Sequence, residues 1–270
     1  MIRFAAHLEM NFGAGHSFHD RWMAARNSGF QGCEFVWRNY ELSEAVELRQ
    51  AAPLEISCLG GTTGIAAGAR PVLVLPEDRE RLARDVESAV AYARALSCSS
   101  LVMVSGNLIQ GWSIDKHRQE AVTSLKYVAP ILEEAGVTAL IEPLNSKIDH
   151  NGVYCDTAEE GFRIIHDTGS PNVKLLYDAY HMHIMHGNVV QEIRSNHAMI
   201  GYYHLARVPG RNEPIGGEID YEALLEAVAA SGYDGFIGLE YAPSGDYAAA
   251  FQRIKHAYPA YISMKEVPHE

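Results

Sequence analysis

Four side chains that can bind a hard or borderline metal ion stand at the ends of short apolar runs: Glu142 after TALI, Asp178 after VKLLY, His204 in GYYHLA and Glu240 in GFIGLEY. They lie 36, 26 and 36 residues apart, in each interval roughly one strand plus one helix. A strand often ends in a polar residue simply where it leaves the core, so any one of these alone would carry little weight. Together they bring three carboxylates to one place, and such a cluster must raise a pKa or hold a cation. Two carboxylates, an imidazole and a further carboxylate suit one divalent ion, Mn²⁺ or Mg²⁺ foremost. His204 tilts the balance toward Mn²⁺ or Co²⁺, and Zn²⁺ is compatible with the same donors. Such an ion can hold a carbonyl and an adjacent hydroxyl and stabilise the enediolate formed when the carbon between them loses a proton. Glu142 and Glu240 are then the catalytic pair, one taking the proton and the other returning one, which gives isomerisation or epimerisation.

The elements that must position these groups alternate along the chain. Strand-like runs fall at residues 2–8, 32–36, 55–59, 100–104, 138–141, 173–177, 200–205 and 235–241. Between them lie helical patterns, the clearest at 77–96, with Leu82, Val86, Val90 and Ala93 on one face, and at 115–135, with Ala121, Leu125, Val128 and Leu132. The second should stop at Gly136 and kink at Pro130. Eight strand–helix units with right-handed crossovers close a (β/α)₈ barrel of the α/β class, in which all four candidate ligands meet at the carboxyl ends of the strands. Glu142 and Glu240 then stand three strands apart and can flank a ligand from different sides. A doubly wound open sheet is the weaker alternative, because only Gly13 and Gly15 follow the first run, well past where a phosphate turn belongs. Residues 60–76 and 206–219 are too long for mere turns and leave from the functional side, which suits lids or specificity loops.

At 270 residues and 47% hydrophobic, the chain can bury the core of one such barrel, expected over residues 1–258 with an unassigned tail at 259–270. The formal charge of −12 disfavours nucleic acid and anionic membrane as partners, since both need a basic face, and favours a small metal-held substrate. Cys33, Cys58, Cys98 and Cys155 lack metal-binding spacing and behave as small hydrophobes. Neither a leader nor an apolar run long enough to span a bilayer is present, so a reduced, cytoplasmic setting is expected. Monomer and homo-oligomer both remain open.

Several stretches carry a family resemblance: IEPLN at 141–145, YDAYHMHIMHGN at 177–188, VPGRNEPIGGEIDY at 208–221 and GYDGFIGLEY at 232–241. They resemble the hydroxypyruvate isomerase family, within the xylose isomerase-like barrel superfamily of sugar isomerases and epimerases. Weaker likeness extends from Arg3-Phe4-Ala5-Ala6 through Glu34-Phe35 to about Asp246. The resemblance implies a TIM barrel, a divalent metal at Glu142, Asp178, His204 and Glu240, and interconversion of an α-hydroxy ketone with an α-hydroxy aldehyde. It implies substrate-binding roles for His181 and for Arg211, the latter facing a carboxylate or hydroxyls. Arg211 lies in a polar loop rich in Gly and Pro, so it is expected to serve substrate affinity more than stability. His183 and His186 read as bystanders of His181. The chain departs from the family where typical members carry glutamine and it has His204, as ketose 3-epimerases do. It also has His7, a further candidate for substrate binding, in place of the usual asparagine, and it lacks the Pro-Gly-Tyr after IEPLN. The expected activity is an aldose–ketose type isomerisation of a small hydroxy-oxo acid or sugar. Alternatives on the same site are a ketose 3-epimerase or a lyase or dehydratase, with a barrel endonuclease disfavoured by the charge.

Overall fold

The computed structural model describes residues 2–13, 15–64 and 70–261. Eight strands form a closed barrel in sequence order: β1 (Arg3–His7), β2 (Gly32–Val36), β3 (Glu55–Gly60), β4 (Ser100–Val104), β5 (Thr138–Glu142), β6 (Val173–Asp178), β7 (Ile200–Leu205) and β8 (Phe236–Leu239). Every pairing is parallel, and β8 closes onto β1 with Ala6 opposite Leu239. The helices are α1 (Leu8–Asn11), α2 (Phe18–Asn27), α3 (Leu42–Ala51), α4 (Arg79–Ala95), α5 (Ile114–Ala135), α6 (Ala158–Thr168), α7 (Ala179–His186), α8 (Val189–Asn196), α9 (Tyr221–Ala230) and α10 (Tyr247–Ala257). Local chemistry sets their ends. In α5 the Ser113 side chain accepts from Lys116 N, Gly136 takes the left-handed conformation at φ 65°, and the helix continues through Pro130. The expected apolar faces of α4 and α5 are buried.

Several boundaries differ from the sequence pattern, among them those at Leu8, Arg79 and Leu239. Leu8 is not strand but opens α1, because the Asn11 side chain caps the turn by accepting from His7 N at 2.9 Å. Pro76–Asp78 forms a 3₁₀ turn, so α4 starts at Arg79 rather than at 77. The last strand ends at Leu239, which leaves Glu240 one residue beyond the ladder. The loop at 60–76 contains residues outside the described set, as does most of the tail at 259–270.

The loop at 206–219 is anchored rather than free. Arg207 N donates to Asn212 O at 2.9 Å and Glu218 N to Val208 O at 2.9 Å. Buried Glu213 takes Ser244 and Arg253, and Tyr258 donates to Pro214 O. A moving lid would have to break these bonds, so the loop suits a fixed specificity element.

Strand periodicity organises two cores. Between strands and helices lies the large apolar sheath. Inside the barrel, Ala5, Cys58, Val102, Leu140, Leu176, Tyr202 and Phe236 form a separate layer. Side chains alternate across a strand, so the next inward residues toward the carboxyl ends are His7, Val104, Glu142, Asp178 and His204. The functional mouth is therefore one step above the plug. Four free cysteines are all buried, and burial pushes the Cys98 thiol up to about 12. Among the described residues no helix is long and apolar enough to cross a membrane.

Barrel closure is tied by one amide. Asn11, 1% exposed, donates to Leu239 O at 2.8 Å and Tyr241 O at 2.9 Å besides capping His7 N. Asn11→Ala takes a partner from each of these three backbone groups and is expected to cost at least about 3 kcal/mol of stability, at a typical 1–3 kcal/mol per group. Urea unfolding at matched slope measures it; a loss below roughly 0.5 kcal/mol would show that the tie contributes nothing.

Candidate metal centre

Glu142 ends β5, Asp178 ends β6, His204 lies near the end of β7 and Glu240 follows β8. One donor atom from each comes within 4.8 Å of the others. The register between β6 and β7 slips by one residue after Leu175, which sets Asp178 opposite His204. His204 Nδ1 lies 3.1 Å from Glu240 Oε2 and 3.6 Å from Glu142 Oε1. Asp178 divides its oxygens between two tasks. Oδ1 caps α7 by accepting from Tyr180 N at 2.8 Å and His181 N at 3.4 Å, while Oδ2 faces the cluster.

The electrostatics match a cluster that wants a cation. Burial and the neighbouring Glu240 push Asp178 up to about 7. Burial opposes ionisation of Glu240 too, but Arg211 and His204 hold it well below the usual carboxylate range. His204 is held well above the usual histidine value: burial works against its charge, and Glu34 and Glu240 outweigh it. Asp178 Oδ2 and His204 Nδ1 are buried with no hydrogen-bond partner. Unpartnered buried donors and acceptors are costly. Two such atoms aimed into one oxygen-rich cluster fit a divalent ion of the Mn²⁺ or Mg²⁺ kind.

His7, His181 and Arg211 all reach this centre. His7 Nε2 is 3.7 Å from Glu240 Oε1. His181 is fully buried, with Nδ1 2.6 Å from Asn145 Nδ2; burial first, and Arg211 next, keep its pKa well below normal, so it is neutral. Arg211 donates to Glu240 Oε2 at 2.8 Å, stands 3.7 Å from Asp178 Oδ2 and 3.4 Å from His181 Nε2, and lies over the Tyr180 ring. Although Arg211 lies in a loop, its side chain is only 20% exposed and pairs with the partly buried Glu240, whose side chain is 15% exposed.

Other sequence candidates sit elsewhere. His183 pairs with Glu218 and His186 approaches Glu192. The sequence pattern missed Asn145, Glu34, Cys58 and Tyr202. The last three lie under His204, where Glu34 and Cys58 line a cavity of about 60 Å³ together with His7, Glu142, His204 and Glu240. Their signal was a single acid, Glu34, inside the otherwise apolar run of β2.

Residues 22–257 match the family model described as xylose isomerase-like TIM barrel. Hydroxypyruvate isomerase of Escherichia coli is 33% identical over 90% of this chain and 94% of its own length. The 2-oxo-tetronate isomerase of Cupriavidus necator is 33% identical over 94% of this chain and 98% of its own. Among solved structures, one described as AP endonuclease, family 2, from Brucella melitensis superposes with a TM-score of 0.87 at 27% identity, covering 97% of this chain and 99% of that one. A parallel eight-stranded barrel, its strand-end carboxylates and these full-length matches agree: the chain belongs to the hydroxypyruvate isomerase family of xylose isomerase-like TIM barrels.

Proposed function

We propose that this chain, an isomerase by family, interconverts the hydroxy-ketone and hydroxy-aldehyde forms of a small hydroxy-oxo acid or sugar by proton transfer at a metal-dependent site. The observation that carries the proposal is the convergence of Glu142, Asp178, His204 and Glu240, with Asp178 Oδ2 and His204 Nδ1 buried and unpartnered. A divalent ion held by these four residues, Mn²⁺ or Mg²⁺ first, would polarise a substrate carbonyl and its neighbouring hydroxyl and lower the cost of an enediolate. Glu142 and Glu240 reach the mouth from strands three apart, so one carboxylate faces each side of a small substrate. One removes the proton from the carbon between the two oxygens and the other returns a proton to the product. Arg211, already paired with Glu240, can turn one guanidinium edge to a substrate carboxylate. Neutral His181 offers a ring nitrogen to substrate oxygens, and the His7 ring stands beside Glu240 at the same mouth. The cavity of about 60 Å³ beside the cluster suits small groups.

Epimerisation at the same carbon is the second reading, favoured by the histidine at position 204, where the resemblance implies glutamine in typical hydroxypyruvate isomerases. A nuclease reading, prompted by the description of the Brucella structure, meets a net charge of −12, against the need to neutralise phosphates. Turnover of a panel of small keto acids and ketoses, followed by NMR in D₂O, separates these: isomerisation and epimerisation label different carbons. A reaction with neither solvent exchange nor internal proton transfer would exclude proton abstraction.

Asp178→Asn keeps the cap on α7 but removes the charge, and metal content by elemental analysis should fall well below one ion per chain. Full retention of metal and activity would remove Asp178 from the ligand set. Glu142→Gln and Glu240→Gln should each keep partial metal binding and lose turnover by about 10²–10⁴-fold, the usual contribution of a positioned base. Arg211→Met should act twice. It should raise KM by roughly one to two orders of magnitude through loss of a charged hydrogen bond. In metal-stripped protein it should also lower stability by about 2–3 kcal/mol, since Glu240 loses its partner. An unchanged KM for every active substrate would end the substrate role; an unchanged denaturation midpoint would end the ion pair.

A further inference from the structure

We infer that Glu34 on β2 is the positioning residue for His204: it holds the imidazole through Nε2 so that Nδ1 faces the space enclosed by Glu142, Asp178 and Glu240. This rests on the proposed metal role of that cluster. Glu34 is 1% exposed, and charge is not placed in a barrel interior without partners. Its carboxylate lies 3.2 Å from His204 Nε2 and accepts from the Tyr202 hydroxyl at 2.7 Å and the Cys58 thiol at 3.1 Å. Burial and Glu34 itself keep Cys58 protonated, so it can only donate.

The surrounding strands are built to admit this arrangement. The β2–β3 register slips by one residue at Glu34, skipping Ser57, and so sets Cys58 directly opposite it. Ser57 meanwhile donates to Cys33 O and stands 2.8 Å from the Tyr202 hydroxyl. On β8, Gly238 has no side chain where a Cβ would lie 2.4 Å from Glu34 Oε1 and 2.6 Å from His204 Cδ2. The position pairs with His204 across the sheet. Three strands thus leave room for one carboxylate–imidazole contact.

A histidine with a carboxylate on one nitrogen has its ring plane and tautomer fixed for a ligand on the other, and loss of such a partner typically weakens metal affinity 10–100-fold. Among the clustered side chains, Glu34 hydrogen-bonds and ion-pairs only with His204, so its positioning effect acts on that ring. In Glu34→Gln the side-chain carbonyl can still accept from Nε2–H, whereas Glu34→Ala leaves the ring without a partner.

Calorimetric titration of metal-stripped protein with Mn²⁺ tests this without turnover. Glu34→Ala should bind about 10–100-fold more weakly than wild type, Glu34→Gln should recover part of the loss, and Tyr202→Phe, which keeps the ring and removes one donor to Glu34, should weaken binding a few-fold. If Glu34→Ala does not fold, Tyr202→Phe and Glu34→Gln carry the test. A purely structural role would lower the melting temperature while leaving Mn²⁺ affinity unchanged in all three, and that result overturns the proposal. Proton–nitrogen spectra of the metal-stripped histidine ring give the second measurement. A slowly exchanging, downfield His204 Nε2–H should appear in wild type and vanish in Glu34→Ala. Should wild type bind no Mn²⁺ at all, the metal reading fails, and this resonance alone decides the contact: its presence upholds the positioning of His204 and its absence refutes it.

Discussion

Three carboxylates brought together in one barrel mouth, two of them buried, repel one another, and most of the site can be understood as the means of containing that repulsion. Asp178 responds by holding its proton more tightly, at a pKa of about 7. Glu240 responds by drawing in Arg211 and His204, which keep it ionised. The loop that carries Arg211 is in turn fastened by buried Glu213 and by its own backbone bonds, because a guanidinium can neutralise a buried carboxylate only if its chain is held there. A divalent cation is the most compact answer to the same problem. The proposed chemistry and the charge balance therefore make the same demand on the same four side chains.

The strand-and-helix alternation was legible because strands and amphipathic helices have different apolar periods, and eight repeats of that alternation leave few ways to close. The convergence of the four strand-end side chains was legible for a related reason: a parallel barrel projects every strand end to one face, so linear spacing translates directly into proximity. Glu34 escaped because its significance depends on register. Nothing local in GCEFV says that a one-residue slip will set Cys58 opposite it, or that Gly238 will leave it room from the far side of the sheet. The burial of Arg211 was not legible, because a loop rich in Gly and Pro usually runs over the surface. Here the loop folds back and buries Glu213 and Val208.

Depth in the barrel separates tasks that share the same strands. The layer from Ala5 to Phe236 is apolar apart from the Tyr202 hydroxyl and the Cys58 thiol, and these two groups reach up to Glu34. Above them stand the ionisable residues, so the passage from packing to chemistry takes one step of two residues along each strand. A substitution that moved any strand by one residue would turn both layers toward the helices at once.

The Asn11 amide also fixes the geometry of the mouth at its seam. It holds His7 N on β1 and the carbonyls on either side of Glu240 after β8, residues at opposite ends of the chain. During synthesis β1 emerges first and Glu240 last of the four clustered side chains, so a growing chain carries three of the donors long before it can complete the set. Closure of the barrel and completion of the cluster are then a single event. A chain whose final strand has not docked lacks both the fourth clustered side chain and the partner for Arg211, so a partly folded barrel cannot assemble the cluster.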